Sequence, residues 1–366
     1  MSAEDRYVDV TQESSAEDCC NRCFERRICV LFTWDNATHN CSYYAAVSGT
    51  KSARGKFSGS PYGPDGRYLV MAAGDDRAGF AEGCHGGGWC SQSEGIAASD
   101  VAFVIVSTDS GEGQDRANLS LPDDHIMLIN RVASNAPGRT IVVMTHPGAV
   151  LTPWVNNRNV SATFAMFMPG EQAGPGLVDV LFNDVAPTGR LPVTFPNKDN
   201  EQRFTQQQYP GLVPHGDADS THTVSMYSEK LEVGYRWYNA HRMKPRFPFG
   251  HGLSFTTFKY DNLRASSSKV VVDVINSGER YSGADITQLY LGFPSTAGEP
   301  PKQLKGFQKT LLLNPGERVT VEFALRDRDL SIWDTTKHGW KKQRGTFKVF
   351  IGASSEDIRI TGSFTV

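Results

Sequence analysis

The sequence predicts a multidomain chain: a small disulfide-rich α+β module, an α/β sandwich with a mostly parallel sheet, and a C-terminal all-β sandwich. Three observations carry this. Five of the seven cysteines (Cys19, Cys20, Cys23, Cys29 and Cys41) fall within the first 41 residues, in a stretch too short to hold itself together by apolar burial alone. The middle of the chain alternates continuous apolar runs with helical spacing, and from about Lys259 onward short strands follow one another between Asn, Pro and Gly clusters. The 366 residues leave room for two or three domains of roughly 100–200 residues each.

In the first region, residues 1–60, Ser15 to Arg27 has helical character and Cys29 to Trp34 is a short apolar run. Gly55 to Gly66 is rich in Gly and Pro, so a domain boundary is expected near Pro61, with a hinge over Pro61 to Gly66. In the second region, residues 62–200, Val101 to Val106 and Thr140 to Thr145 are β-branched apolar runs expected of strands covered on both faces. Between them Leu121 to Ala136 places Ile126, Ile129 and Val132 at helical spacing and stops before Pro137-Gly138. Val160 to Met168 reads as a further strand, with Leu177 to Phe182 in the helix after it; such alternation implies crossover units around a parallel sheet. Residues 201–258 form a joining segment with an aromatic cluster. In residues 259–366, the runs Val270 to Ile275, Ile286 to Phe293, Arg318 to Leu325 and Thr346 to Gly352 predict a sandwich of immunoglobulin or fibronectin type.

Composition narrows the function classes. A charge of −3 gives no basic surplus for nucleic acid or an anionic membrane. The longest apolar runs fall short of the ~20 residues that span a bilayer. The acidic, polar start shows no signal peptide, yet the cysteine density and the sequons at Asn36, Asn40, Asn118 and Asn159 belong to an oxidising, secretory setting. The two agree if Met1 is not the natural start, so an extracellular or secretory location is expected.

Three strings are distinctive: SGEGQDRANLSLP (Ser110 to Pro122), MPGEQAGPGLVDVLFNDVAPTGRLPVTFP (Met168 to Pro196) and FPFGHGLSFTTFKY (Phe247 to Tyr260). With LEVGYRWYN, QLKGFQKTLLLNPGE and IGASSEDIRITGSF they closely resemble family 3 glycoside hydrolases of the β-glucosidase type, over roughly Tyr62 to Val366. The resemblance implies an α/β sandwich domain followed by a fibronectin type III-like domain. The (β/α)8-type barrel that precedes them in the family needs at least ~200 residues, and only 61 precede Tyr62. The stretch before Cys84 also leaves little room for the family's first strand and helix. The segment SAEDC, with Cys19-x3-Cys23-x5-Cys29-x11-Cys41, resembles a PAN or apple module, which implies bridges Cys19–Cys41 and Cys23–Cys29 and leaves Cys20 over.

By this resemblance Glu112 is the general acid/base of a retaining glycosidase, while the nucleophile, an aspartate of the barrel in the family, has no counterpart by motif. On residues alone Glu112 is a carboxylate in a glycine turn after a strand, at the end of a parallel sheet where ligand sites collect. Asp115 and Arg116 match the same string and are expected to brace its loop as an ion pair. Glu171 opens a helix and reads as structural. Cys84 and Cys90 enclose HGGGW, and a local disulfide fits better than a metal site, which would need more ligands. The glycine strings lack the endings of phosphate and dinucleotide loops, and no G-x-S-x-G elbow occurs, so no cofactor or metal is expected. The aromatics Tyr235, Trp237, Tyr238, Phe247, Phe249 and Phe255 suit sugar stacking or, more simply, interdomain packing. The expected partner is a β-glucoside or oligosaccharide, with a protein or glycan for the PAN-like module. A secreted, non-catalytic binding protein built on a hydrolase remnant is the alternative.

Overall fold

The computed structural model describes residues 7–12, 31–35, 40–44, 69–73, 101–108, 111–113, 115–136, 138, 140–214 and 222–366. The chain divides into two compact units, 1–182 and 183–366. Among the described residues no helix is long and apolar enough to cross a membrane.

In the first unit, β1 (Tyr7–Gln12), β2 (Leu31–Asp35) and β3 (Asn40–Tyr44) form an antiparallel sheet in the order β1-β3-β2. Cys41 lies in the central strand, in register with Thr11 and Trp34. The expected helix Ser15 to Arg27, the hinge Pro61 to Gly66, Cys84, Cys90 and the bridges of the PAN-like module lie outside the described residues.

The second sheet of this unit holds β4 (Leu69–Ala73), β5 (Val101–Ser107), β6 (Thr140–Thr145) and β7 (Val160–Phe167), parallel throughout and ordered β4-β5-β6-β7. The stretch before Cys84, expected to leave little room for a strand, does hold one: Leu69–Ala73 pairs along β5 from Leu69↔Val101 to Ala73↔Ile105. Helix α1 (Asp123–Asn135) follows β5, with Asp123 and Asp124 complementing the dipole of its first turn. It buries His125, Leu128, Ile129, Val132 and Ala133. Burial of β5 is uneven, contrary to the expectation from its unbroken apolar run. Ala102, Val104 and Val106 are closed off completely, whereas Phe103 and Ile105 are half-buried. A 3-10 turn, Gly170–Gln172, carrying the exposed Glu171, leads into α2 (Ala173–Leu181).

In the second unit, residues 183–257 are mostly irregular around one short helix, α3 (Tyr235–His241). Seven residues cannot sustain a helix by propensity, so packing must hold it. Tyr235 stacks on Phe249 at 4.8 Å, meets Tyr290 edge-on, and its hydroxyl accepts the Leu304 N–H. Trp237 and Tyr238 are buried. These aromatics thus act as packing residues, while Phe255 is exposed beside Tyr281. In FPFGHG, Gly250 has φ +81, and a Cβ there would run into the Gln288 amide, which donates to Gly250 O and Ala353 O.

Seven strands build the sandwich. One sheet, β12-β9-β8, uses β8 (Phe258–Ala265), β9 (Lys269–Asn276) and β12 (Arg318–Ala324). The other, β11-β10-β15-β16, uses β10 (Ile286–Gly292), β11 (Gln303–Lys309), β15 (Thr346–Gly352) and β16 (Ile358–Thr365). Alternate residues meet in one core: Val270, Val272, Val274, Val321 and Phe323 with Leu289, Leu291, Phe347, Val349 and Ile351. A separate hairpin, β13 (Ser331–Asp334) with β14 (Gly339–Lys342), sets Trp333 opposite Trp340, rings 5.5 Å apart and each 48% exposed. Arg328 lies 3.5 Å over the Trp340 ring.

Glu201 shows how the irregular segment is secured. Its buried carboxylate accepts the Tyr238 hydroxyl at 2.6 Å and both the backbone and side-chain N–H groups of Asn197 at 3.0 Å. Burial pushes its pKa up, but the hydrogen bonds from Tyr238 and Asn197 outweigh that and hold it below the ordinary glutamate value. Because the folded-state pKa is depressed, the stabilisation is present above the unfolded glutamate pKa of ~4.3 and is lost as pH falls through the folded value. Glu201→Gln is expected to cost about 1–3 kcal/mol at neutral pH and to weaken the fall in stability below pH ~4.3. Urea unfolding across pH checks both, and an unchanged acid limb would remove Glu201 from the account.

Candidate active site

Glu112, Asp115 and Arg116 follow β5, past the carboxyl end of a parallel strand of the first unit. β5 ends at Ser107, whose carbonyl lies 2.9 Å from Nδ1 of the buried His125, and the Thr108 N–H donates to Thr145 O across the sheet edge. The chain then turns at Glu112-Gly113. Gly113 takes φ +82, a conformation open to glycine at little cost, and no heavy atom lies within 4 Å of a Cβ built at Gly111 or Gly113. Glu112 is accordingly exposed on an uncrowded turn.

Beyond this turn the loop is tied down. Asp115 is exposed, while Arg116 is half-buried and its Nη2 donates to Ala149 O at 3.0 Å. The Leu151 N–H donates to Leu119 O at 2.8 Å, and Leu121 is buried. The loop after β5 is thereby fastened to the loop after β6.

His146, just past β6, is a buried residue of the same sheet edge that motif reading passed over. It is fully buried, its Nδ1 lies 2.6 Å from Gly148 O, and its ring packs 4.5 Å from Phe167. Burial lowers its pKa most, a hydrogen bond to Gly148 opposes this, and the charge of Arg116 lowers it further. Against a carbonyl acceptor, Nδ1 carries the proton. Phe167, at the end of β7, has φ +56 and accepts the His146 N–H. The available signal was MTHPG directly after an apolar strand, a histidine at a sheet's carboxyl edge.

Chemically, this edge presents the exposed carboxylates of Glu112 and Asp115 on a loop braced by Arg116. Such a group can give and take a proton from a substrate brought to it. Retention in glycoside hydrolysis requires in addition a second carboxylate about 5–5.5 Å away. Among the described residues no group of three or more His, Cys, Asp or Glu side chains is arranged to hold a metal.

Comparison with known proteins bears on the same region. Residues 87–255 match the glycosyl hydrolase family 3 C-terminal domain, residues 285–355 a fibronectin type III-like domain, and residues 2–64 a PAN domain. Similar curated proteins include the probable β-glucosidase L of Emericella nidulans, 37% identical over 310 residues, covering 75% of this chain and 40% of that protein. The probable β-glucosidase D of Aspergillus niger is 33% identical over 296 residues, covering 73% and 37% respectively. Among solved structures, the β-D-glucoside glucohydrolase of Trichoderma reesei superposes with a TM-score of 0.65 at 34% identity, covering 75% of this chain and 41% of its own. The β-glucosidase DesR of Streptomyces venezuelae, determined in complex with D-glucose, gives 0.68 at 35% identity, with coverage of 75% and 34%. The chain spans about two-fifths of the length of the curated relatives it matches.

Proposed function

Because residues 87–255 of this chain are a glycosyl hydrolase family 3 C-terminal domain with a fibronectin type III-like domain behind it at 285–355, we propose that it serves as the C-terminal portion of a retaining β-glucosidase. The reaction is hydrolysis of the O-glycosidic bond at the non-reducing glucosyl end of β-glucosides or oligosaccharides. One observation carries this reading: Glu112 stands exposed on a glycine turn past the carboxyl end of a parallel strand, inside the matched domain. Glu112 protonates the departing glycosidic oxygen and then takes a proton from the attacking water. The nucleophilic carboxylate and the sugar-binding floor come from a barrel outside these 366 residues. Arg116, through Ala149 O, holds the Glu112 loop at its working position, with Asp115 as its neighbour in the string.

The organisation that accompanies this function is a PAN-like module over residues 1–60 that takes a protein or glycan, then an α/β domain over 62–200. A joining segment, 201–258, and a sandwich, 259–366, follow. An extracellular or secretory setting goes with bridges Cys19–Cys41, Cys23–Cys29 and Cys84–Cys90.

The test compares two preparations on an aryl β-glucoside. The purified 366-residue chain is expected to show no turnover that distinguishes it from its Glu112→Gln variant, because one carboxylate cannot form and then hydrolyse a glycosyl-enzyme. Residues 62–366 substituted for the matching portion of the Trichoderma reesei glucohydrolase are expected to restore turnover. A folded but inert chimera would favour the non-catalytic binding protein, and Glu112-dependent turnover by the chain alone would place a second carboxylate within it.

A further inference from the structure

We infer that Asn118 is an N-glycosylation site, and that it accepts the oligosaccharide in preference to Asn159. The chain carries sequons at both, Asn118-Leu119-Ser120 and Asn159-Val160-Ser161. Their surroundings differ in every respect that the chemistry uses.

Asn118 is exposed, in a bend outside any helix or strand. Its side-chain Oδ1 accepts the Ser120 N–H at 2.8 Å, closing a turn that brings the carboxamide and the serine of the sequon together. A hydrogen bond to Oδ1 draws electron density from the amide nitrogen and makes its protons easier to lose. The backbone is anchored from behind: Leu119 O accepts the Leu151 N–H, and Leu121 is buried. A chain held at 119 and 121 with an exposed residue at 118 leaves a bulky substituent in solvent and asks nothing of the core.

Asn159 is half-buried and immediately precedes β7. Its carbonyl accepts the N–H groups of Gly138 and Thr140, and the Ser161 hydroxyl donates to Thr140 O at 3.1 Å. The sequon is thus drawn into the β6–β7 ladder. An extended strand cannot close the Asn–Ser turn, and pairing competes with modification as the chain folds.

The donor is a lipid-diphosphate-linked oligosaccharide. Nδ2 of Asn118 forms a bond to the anomeric carbon, the bond from that carbon to the diphosphate oxygen breaks, the lipid diphosphate leaves with the electron pair, and one amide proton passes to a base. No oxidant or reductant is involved.

The experiment secretes the full chain from a eukaryotic host behind a cleavable leader and removes glycans with an amidase in heavy-oxygen water, which converts each modified Asn to labelled Asp. The expected result is label at Asn118 in most molecules and several-fold less at Asn159. Ser120→Ala should abolish label at Asn118 and leave Asn159 unchanged, whereas Ser120→Thr should retain it; circular dichroism of each variant reports whether it has folded. Secreted protein without label at Asn118, or with as much at Asn159, overturns the inference. That outcome says nothing against the glycosidase reading, which predicts turnover and not modification.

Discussion

Glu112→Gln in the chimera with the Trichoderma reesei glucohydrolase is expected to lower kcat by about 10²–10⁴-fold, the usual contribution of a positioned general acid, equivalent to about 3–5 kcal/mol of barrier. The loss should depend on the leaving group. With a dinitrophenyl glucoside the departing oxygen needs no proton, so the first step survives and the glycosyl-enzyme accumulates. Glu112→Ala should then be rescued by azide, an anion that needs no general base, giving the β-glucosyl azide of retained configuration. The basic limb of the kcat/KM profile should flatten in both variants, since it reports the acid. A variant as active as the parent on every leaving group, with no azide product, would move the acid/base to another residue.

The second large effect is on stability. Asp285, at the entrance to β10, is buried and accepts hydroxyl hydrogen bonds from Tyr260 at 2.8 Å and Thr287 at 2.6 Å. Burial raises the Tyr260 pKa, and the Asp285 charge and hydrogen bond raise it further, so the phenol keeps its proton. Burial lowers the Arg190 pKa, and the charge of Asp285 offsets part of that. Asp285→Ala would leave two buried hydroxyls without their acceptor and Arg190 without a nearby anion. The expected cost is about 3–5 kcal/mol, as for other buried charged groups stripped of one partner. Asp285→Asn, which keeps a carbonyl acceptor, should cost less. Urea unfolding of the single variants, and of the Tyr260→Phe, Asp285→Ala double variant, should show coupling. A loss under ~1 kcal/mol in Asp285→Ala would mean that water or rearrangement satisfies these groups.

The parts of the fold legible in the sequence were those written in unbroken apolar runs. Val101 to Val106 and Thr140 to Thr145 appear as strands with almost unchanged bounds, because nearly every residue is apolar and β-branched or bulky. Among the strands that escaped, β8 reads FKYDNLRA, β11 reads QLKGFQK and β16 reads IRITGSFT, half-exposed, with polar groups interrupting the pattern. Helix α3 escaped for a different reason, since its order comes from Tyr290, Phe249 and Leu304, all distant in sequence.

The candidate site divides the same way. The expectation for Glu112 rests on a whole string of residues, whereas periodicity alone gives a carboxylate in a turn. The Arg116–Ala149 link joins residues 33 apart and was invisible to any local reading. His146 was missed because His-Pro-Gly after a strand looks like a turn. Its packing partner, Phe167, is brought beside it only by the sheet.

The tryptophan hairpin gives the molecule an optical division of labour. Trp333 and Trp340 face each other across β13–β14, half in water, while Trp154 in the first unit and Trp237 in the second are buried. Two indoles 5.5 Å apart and inclined at 68° share their excitation. Their coupled transitions therefore give a circular dichroism couplet that vanishes when the hairpin opens, and acrylamide quenches their red-shifted emission first. The emission of the buried Trp154 and Trp237 lies further to the blue and is quenched later, so among the described tryptophans loss of the hairpin is followed separately from the melting of either core.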